Sequence, residues 1–145
     1  MYHHILVPTD GSPFSANALR KSVALARTLK ARMTALTVVE PFHIFAIDPE
    51  IVTATPAQYE QRMKERAERF LAVARDEAKA AGVPCATLRV EDEHPYRAIV
   101  DTAIKEGCDL IAMPSHGRRG LSAVILGSET VKVLTHSTVP VLVYR

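Results

Sequence analysis

Apolar positions in this chain follow two alternating rhythms. Short runs dense in apolar residues occur at 3–8 (HHILVP), 33–40 (MTALTVVE), 84–92 (PCATLRVED), 108–114 (CDLIAMP) and 139–145 (VPVLVYR). Between them the apolar residues return every three or four positions, as Ala18, Leu19, Val23, Ala26 and Leu29 do within 15–31. A continuous run of this length suits a strand buried on both sides, whereas the wider spacing marks one face of a helix. The pattern therefore predicts five strands over those runs, helices over 15–31, 56–82, 96–107 and 127–136, and a loop over 41–55. Pro56 fits the first turn of the second helix, where its missing N–H would have no partner, and Gly82 fits the cap at its end.

Strands alternating with helices predict an α/β fold: a Rossmann-like, five-stranded parallel sheet with helices on both faces. The chain of 145 residues is expected to form one domain, 1–145. A domain of that size buries roughly 70% of the surface its unfolded form exposes, so it needs no disulfide or metal staple. Ligands of open parallel sheets bind beyond the carboxyl ends of the strands, near the switch in strand order. That rule selects the loops 8–15, 39–45 and the stretch AMPSHGRRGLSAVILGSETV, 112–131.

Composition narrows the partners. With a formal net charge of +2 and no clustered basic stripe, neither nucleic acid nor an anionic membrane is an expected partner. No apolar run approaches the ~20 residues of a membrane span, and MYHHILVPTD lacks the basic start and apolar stretch of a signal peptide. A cytoplasmic protein is the expectation. Cys85 and Cys108 form no CxxC unit and are expected to be buried free thiols.

Several residues carry candidate chemistry. Gly117, Gly120, Gly127 and Ser128 form a glycine-bearing loop that enters a helix at Gly127–Ser128, where unpaired N–H groups and the helix dipole can receive a phosphate. The same residues also read as a surface turn capped by Ser128. The spacing matches no P-loop, and no GxGxxG follows the first strand. Asp10, just past the first strand, could accept a hydrogen bond from a ribose hydroxyl or an adenine amino group, or close an Asx turn with Gly11 or Ser12. Asp92, Glu93 and His94 look like metal ligands in isolation, but between a strand and a helix they predict a polar capping loop. No nucleophile–base pair is readable and Ser128 has no activating base in sequence, so fast catalysis is not expected.

ILVPTDGSPFSANAL (5–19), DLIAMPSHGRRGLSAVILGSETVKVLTHSTVPVLVYR (109–145) and the element order between them resemble the universal stress protein family over essentially the whole chain. The resemblance implies an adenine nucleotide α-hydrolase-like fold that binds ATP, or AMP or ADP, with magnesium arriving on the phosphates. Nucleotide-binding members carry Gly, two residues, Gly, nine residues, then Gly-Ser or Gly-Thr. Gly117 and Gly127–Ser128 match the later positions, with Glu129 and Thr130 following in the same turn. The resemblance further matches Pro8, Thr9 and Asp10 to the family's strand-1 end, with Asp10 near adenine or ribose, and places the backbone of Val38 at the adenine edge and Met113 along the pocket; Val38 and Met113 also read as sheet core. Ser115 and His116 lie inside the motif; His116 could approach a phosphate or be a solvent-facing turn residue. Arg118 and Arg119 could screen the phosphates or form a solvated surface. The last strand, 139–145, is expected to pair across a homodimer, or else to be an edge covered by its own helices. The implied function is a stress-response nucleotide sensor or switch; the alternatives are a nucleotide-independent dimeric interaction module and a weak ATPase.

Pro114 stands where the family motif has its first glycine. Proline lacks an N–H, fixes φ near −65° and adds a ring. It could replace glycine in an extended strand exit without loss, remove one hydrogen bond to the ligand, or fill the ribose space.

Overall fold

The computed structural model describes residues 1–42, 55–117 and 125–145. Its elements are β1 (His4–Pro8), α1 (Pro13–Leu29), β2 (Arg32–Val39), α2 (Pro56–Ala80), β3 (Cys85–Glu91), α3 (Pro95–Lys105), β4 (Leu110–Pro114), α4 (Ser128–His136) and β5 (Val141–Tyr144). All pairings are parallel and the strand order is β3-β2-β1-β4-β5. The chain thus winds outward from β1 to β3, crosses back beside β1 to lay down β4, and ends on β5.

Side chains alternate between the faces of a strand, and the core splits accordingly. Ile5, Val7, Met33, Ala35, Leu110 and Ala112 pack against α1 and α2 through Leu19, Val23, Ala26, Leu71, Ala74 and Ala78. Leu6, Leu36, Ile111 and Met113 pack on the other face against Ile99 and Ala103 of α3 and Val133 of α4. Both faces of the central strands are covered, which is why β1 and β4 read as uninterrupted apolar runs.

Local chemistry sets the helix ends. Ser12 caps α1 by accepting the N–H of Ser15 at 3.2 Å, with Pro13 in the first turn. That cap starts the helix at 13 rather than at the expected 15. Thr55, directly before Pro56, and Gln58, three residues on from Thr55, form a reciprocal capping box at α2. Beyond Ala81, Gly82 takes φ +72, the left-handed step that closes the helix.

Some sequence expectations change. β3 lies at one edge and is only partly covered, because no strand among the described residues flanks it on its outer side. Cys85 on that strand is half-buried rather than buried, while Cys108 is buried. Ser128 does not cap α4: Gly127 occupies the cap position, and among the described residues no side chain caps the turn. Residues 43–54, with Ile44, Phe45 and Ile47, lie outside the described residues, as do Arg118, Arg119 and Gly120.

Candidate functional site

The strand order puts the switch between β1 and β4, and their carboxyl ends bring two loops together. β1 continues into Thr9 and Asp10. Thr9 donates its N–H to Leu36 at 2.8 Å and its carbonyl accepts the hydroxyl of Thr37 at 3.0 Å. Its own hydroxyl meets Ser15 Oγ at 2.7 Å and is buried. The Thr9 side chain therefore anchors the start of α1, and the main chain carries the loop to Asp10. Ser15 Oγ also accepts the N–H of Asp10 at 3.1 Å, and Asp10 Oδ1 accepts the N–H of Ser12 at 2.9 Å. Asp10 Oδ1 thus closes the Asx turn foreseen for this residue. Gly11 within that turn has φ +76, and a Cβ there would overlap the Phe70 ring of α2.

The other carboxylate oxygen of Asp10 faces the β4 loop. A Cβ built on Gly117 would stand 3.0 Å from Asp10 Oδ2. Gly117 in turn lies beside the start of α4: a Cβ on Gly127 would stand 3.8 Å from Gly117 N, 3.3 Å from His116 Cα and 3.2 Å from the Ser115 carbonyl oxygen. The main chain of Ser115–Gly117 and that of Gly127 approach closely here because Gly127 carries no side chain. The Gly127 N–H donates to that Ser115 carbonyl at 2.7 Å. The Thr130 hydroxyl donates to the carbonyls of Pro114 at 3.0 Å and Ser115 at 3.2 Å. These bonds hold the first turn of α4 against the end of β4.

Among the described residues no side chain caps that turn. Glu129, its acidic residue, accepts the N–H of Tyr96 at 2.9 Å through Oε2 and pairs with Lys132 at 3.3 Å through Oε1. The carboxylate thus serves the first turn of α3, and Glu129 adds to the α4 terminus only its main chain. An uncapped helix start beside two glycines presents backbone donors and the positive end of a dipole, the chemistry that holds an anion. Across the crevice stands the carboxylate of Asp10.

The remaining candidates fall around this pair. His116 is buried, 3% exposed, with Nδ1 at 2.9 Å from Ser115 Oγ and its ring 5.5 Å from that of Phe14. It is not the solvent-facing turn histidine that its loop position suggested. Met113 is core on the α3–α4 face, and Val38 packs beside the same cluster. The Thr9–Leu36 bond shows that even-numbered residues of β2 turn their main chain toward β1. Val38 therefore turns its N–H and C=O past the last β1–β2 pair, Pro8↔Leu36, toward the crevice.

Sequence reasoning missed the residues that orient this site. Ser15, Thr37 and Phe14 act on Thr9, Asp10 and His116 from α1 and β2. The strand-end rule selected the loop 8–15, but no local signal within it singled out Phe14 or Ser15. The Asp92 cluster is occupied otherwise: Asp92 accepts the N–H of His94 at 2.8 Å and pairs with Arg97 at 2.8 Å. The Arg97 guanidinium and the His94 N–H hold the Asp92 carboxyl below its usual range. The triad is a loop closure before α3. No group of three or more possible metal ligands occurs among the described residues, and no helix among them is long and apolar enough to cross a membrane.

The family model for universal stress proteins matches residues 1–145, and the chain belongs to that family. It is 31% identical to the universal stress protein YxiE of Bacillus subtilis, with 100% of each chain covered. It is 30% identical to universal stress protein MJ0531 of Methanocaldococcus jannaschii, covering 100% of this chain and 83% of that one. The solved structure of MJ0577, a universal stress protein of the same organism, superposes with a TM-score of 0.82 at 32% identity, covering 99% of this chain and 95% of that one. A universal stress protein in complex with cAMP shares the fold, with a TM-score of 0.74 at 24% identity over 99% and 97% of the two chains.

Proposed function

We propose that this protein binds an adenine nucleotide, ATP or AMP/ADP, in the crevice between the ends of β1 and β4, and serves as a nucleotide-dependent sensor or switch in the stress response. One observation carries the reading: the uncapped start of α4, built on Gly127 and seated against Ser115 and Gly117, stands opposite the carboxylate of Asp10. The phosphates sit on the main-chain N–H groups of Ser128, Glu129 and Thr130, the sugar hydroxyls on Asp10, and the base against the main chain of Val38 with Met113 behind it. Hydrogen bonds to a charged acceptor contribute about 1.5–3 kcal/mol each, so a few such amides suffice for micromolar affinity. Magnesium enters with the phosphates, held mainly by their oxygens and by water.

Two supports are independent of the local geometry. The family motif is retained at Gly117, Gly127 and Ser128, and the fold is one that has been solved with cAMP in a relative. The chemistry favours holding over turnover. Ser128 lies in the first turn of α4, and none of the hydrogen bonds described around the crevice joins it to a base.

Thermal unfolding with and without ligand tests the reading. A ligand that binds only the folded state stabilises it by RT ln(1 + [L]/Kd), about 2.7 kcal/mol at a hundredfold excess over Kd. The midpoint should rise with Mg·ATP or AMP and not with Mg·GTP; equal midpoints with all ligands and with none would remove the proposal. Phosphate release by the same sample tests the slow ATPase alternative.

A further inference from the structure

The hydrogen-bonded ladder between β1 and β4 covers only Ile5↔Leu110 and Leu6↔Ile111, although β1–β2 continues to Pro8↔Leu36 and β4–β5 to Pro114↔Tyr144. The reason lies in which way each residue turns. Ile111 and Ser115 donate to β5, to Pro140 at 2.9 Å and Tyr144 at 2.8 Å. The intervening even-numbered residues of β4 therefore turn their main chain toward β1. Thr9 donates to Leu36 of β2, so Pro8 by the same alternation faces β4. The next two donors across the gap would be the N–H groups of Pro8 and Pro114, and neither exists. The ladder stops because a proline stands at both sides of the opening.

We propose that Pro114 is a specificity-determining residue of this site: it sets a ring methylene where any other residue would aim an N–H into the crevice, and so withholds a main-chain hydrogen bond from the sugar of the bound nucleotide. The inference rests on the adenine-nucleotide reading and sharpens it. The covalent order of a nucleotide fixes which part meets Pro114. Phosphate goes to the start of α4 and is repelled by Asp10; the sugar bonded to it lies over Asp10 and Gly117, whose backbone approaches that of Gly127. Residues 114–117 form that rim. The Pro114 carbonyl accepts the Thr130 hydroxyl at 3.0 Å, which ties this end of β4 to the first turn of α4. The ring itself is buried in the end of β4, which keeps the strand exit extended and the methylene in place.

The test is calorimetric titration of the full chain and of two variants that restore the N–H, Pro114→Ala and Pro114→Gly. The ligands are ATP, 2′-deoxy-ATP and 3′-deoxy-ATP, each with magnesium. The expected result is a deoxy-to-ribo Kd ratio that rises about two- to tenfold in both variants for at least one of the two analogues, the effect of one added hydrogen bond. Unchanged ratios for both analogues overturn the proposal. Binding by the variants with none by the native chain also overturns it, because proline then blocks the site rather than selecting within it. Absence of binding by all three proteins removes the nucleotide reading itself, and this inference with it.

Discussion

Gly127 stands on Ser115: its N–H donates to the Ser115 carbonyl oxygen at 2.7 Å, and a Cβ on Gly127 would come within 3.2 Å of that same atom. One residue therefore both ties α4 to β4 and keeps the helix start bare. Its φ of −60° is open to any residue, so the requirement is for space alone. Gly127→Val should destabilise the protein by about 1–3 kcal/mol, the usual effect of forcing extra carbons into a filled contact. Nucleotide affinity should fall further than that strain explains, at least tenfold, because the helix start moves away from Gly117. Chemical denaturation and ligand titration of the same variant check the two parts separately.

β5 is the outer strand on the β4 side, and Leu142 remains 36% exposed on it. An uncovered strand edge invites pairing with a second copy, in line with the homodimer that family resemblance implies. Leu142 and Tyr144 turn their main chain toward β4, as the Ser115–Tyr144 bond shows, so Val143 turns its N–H outward. Val143→Pro removes an outward donor and no ladder bond within the sheet. The account predicts a dimer for the native chain and a folded monomer for this variant by sedimentation velocity. A variant that stays dimeric places the interface elsewhere.

The opposite end of β1 carries a pH dependence. His4 is buried, with Nε2 at 2.7 Å from the Thr34 hydroxyl. Burial first, and then the charge of Arg32, lower its pKa below the ordinary 6.5, while Asp109 and Glu106 pull the other way without reversing the shift. A base with a lowered folded pKa binds its proton more readily in the unfolded chain. Stability should therefore be full above about pH 6.5 and fall as the pH drops toward the folded value, by up to about 1.4 kcal/mol per pH unit. His4→Gln should flatten this limb of the stability curve. A second loss at lower pH should persist, since burial works to raise the Asp109 carboxyl but the N–H groups of His4 and His3 hold it below its usual range.

The fold was legible where the local signal and the tertiary setting agreed. Ile5, Leu6 and Val7 are covered on both faces, so a run of apolar residues could only be a central parallel strand. Pro56 and Gly82 marked α2 because the chemistry of helix ends is local. The two glycines and Asp10 of the site could be named from motif and strand end. What could not be read was anything that depends on strand order. Nothing along the chain says that β1 lies beside β4, and without that the facing of Pro8 and Pro114 is invisible. The direction of the Glu129 carboxylate, which reaches 33 residues back to Tyr96, is likewise a product of how α3 and α4 pack. Burial of His116 depends on Phe14, and its loop position pointed the other way.

The central claim is that the crevice holds an adenine nucleotide, and calorimetric titration of nucleotide-stripped protein with Mg·ATP tests it most directly, with Asp10→Asn as the paired variant. Asparagine keeps an oxygen for the Ser12 N–H, so the turn survives while the charge that receives the sugar is lost. The account predicts one site per chain with micromolar affinity, weakened about tenfold in the variant, in keeping with the loss of one charged hydrogen bond. Absence of heat and of any saturable binding by the native protein, with its fold intact, would contradict it.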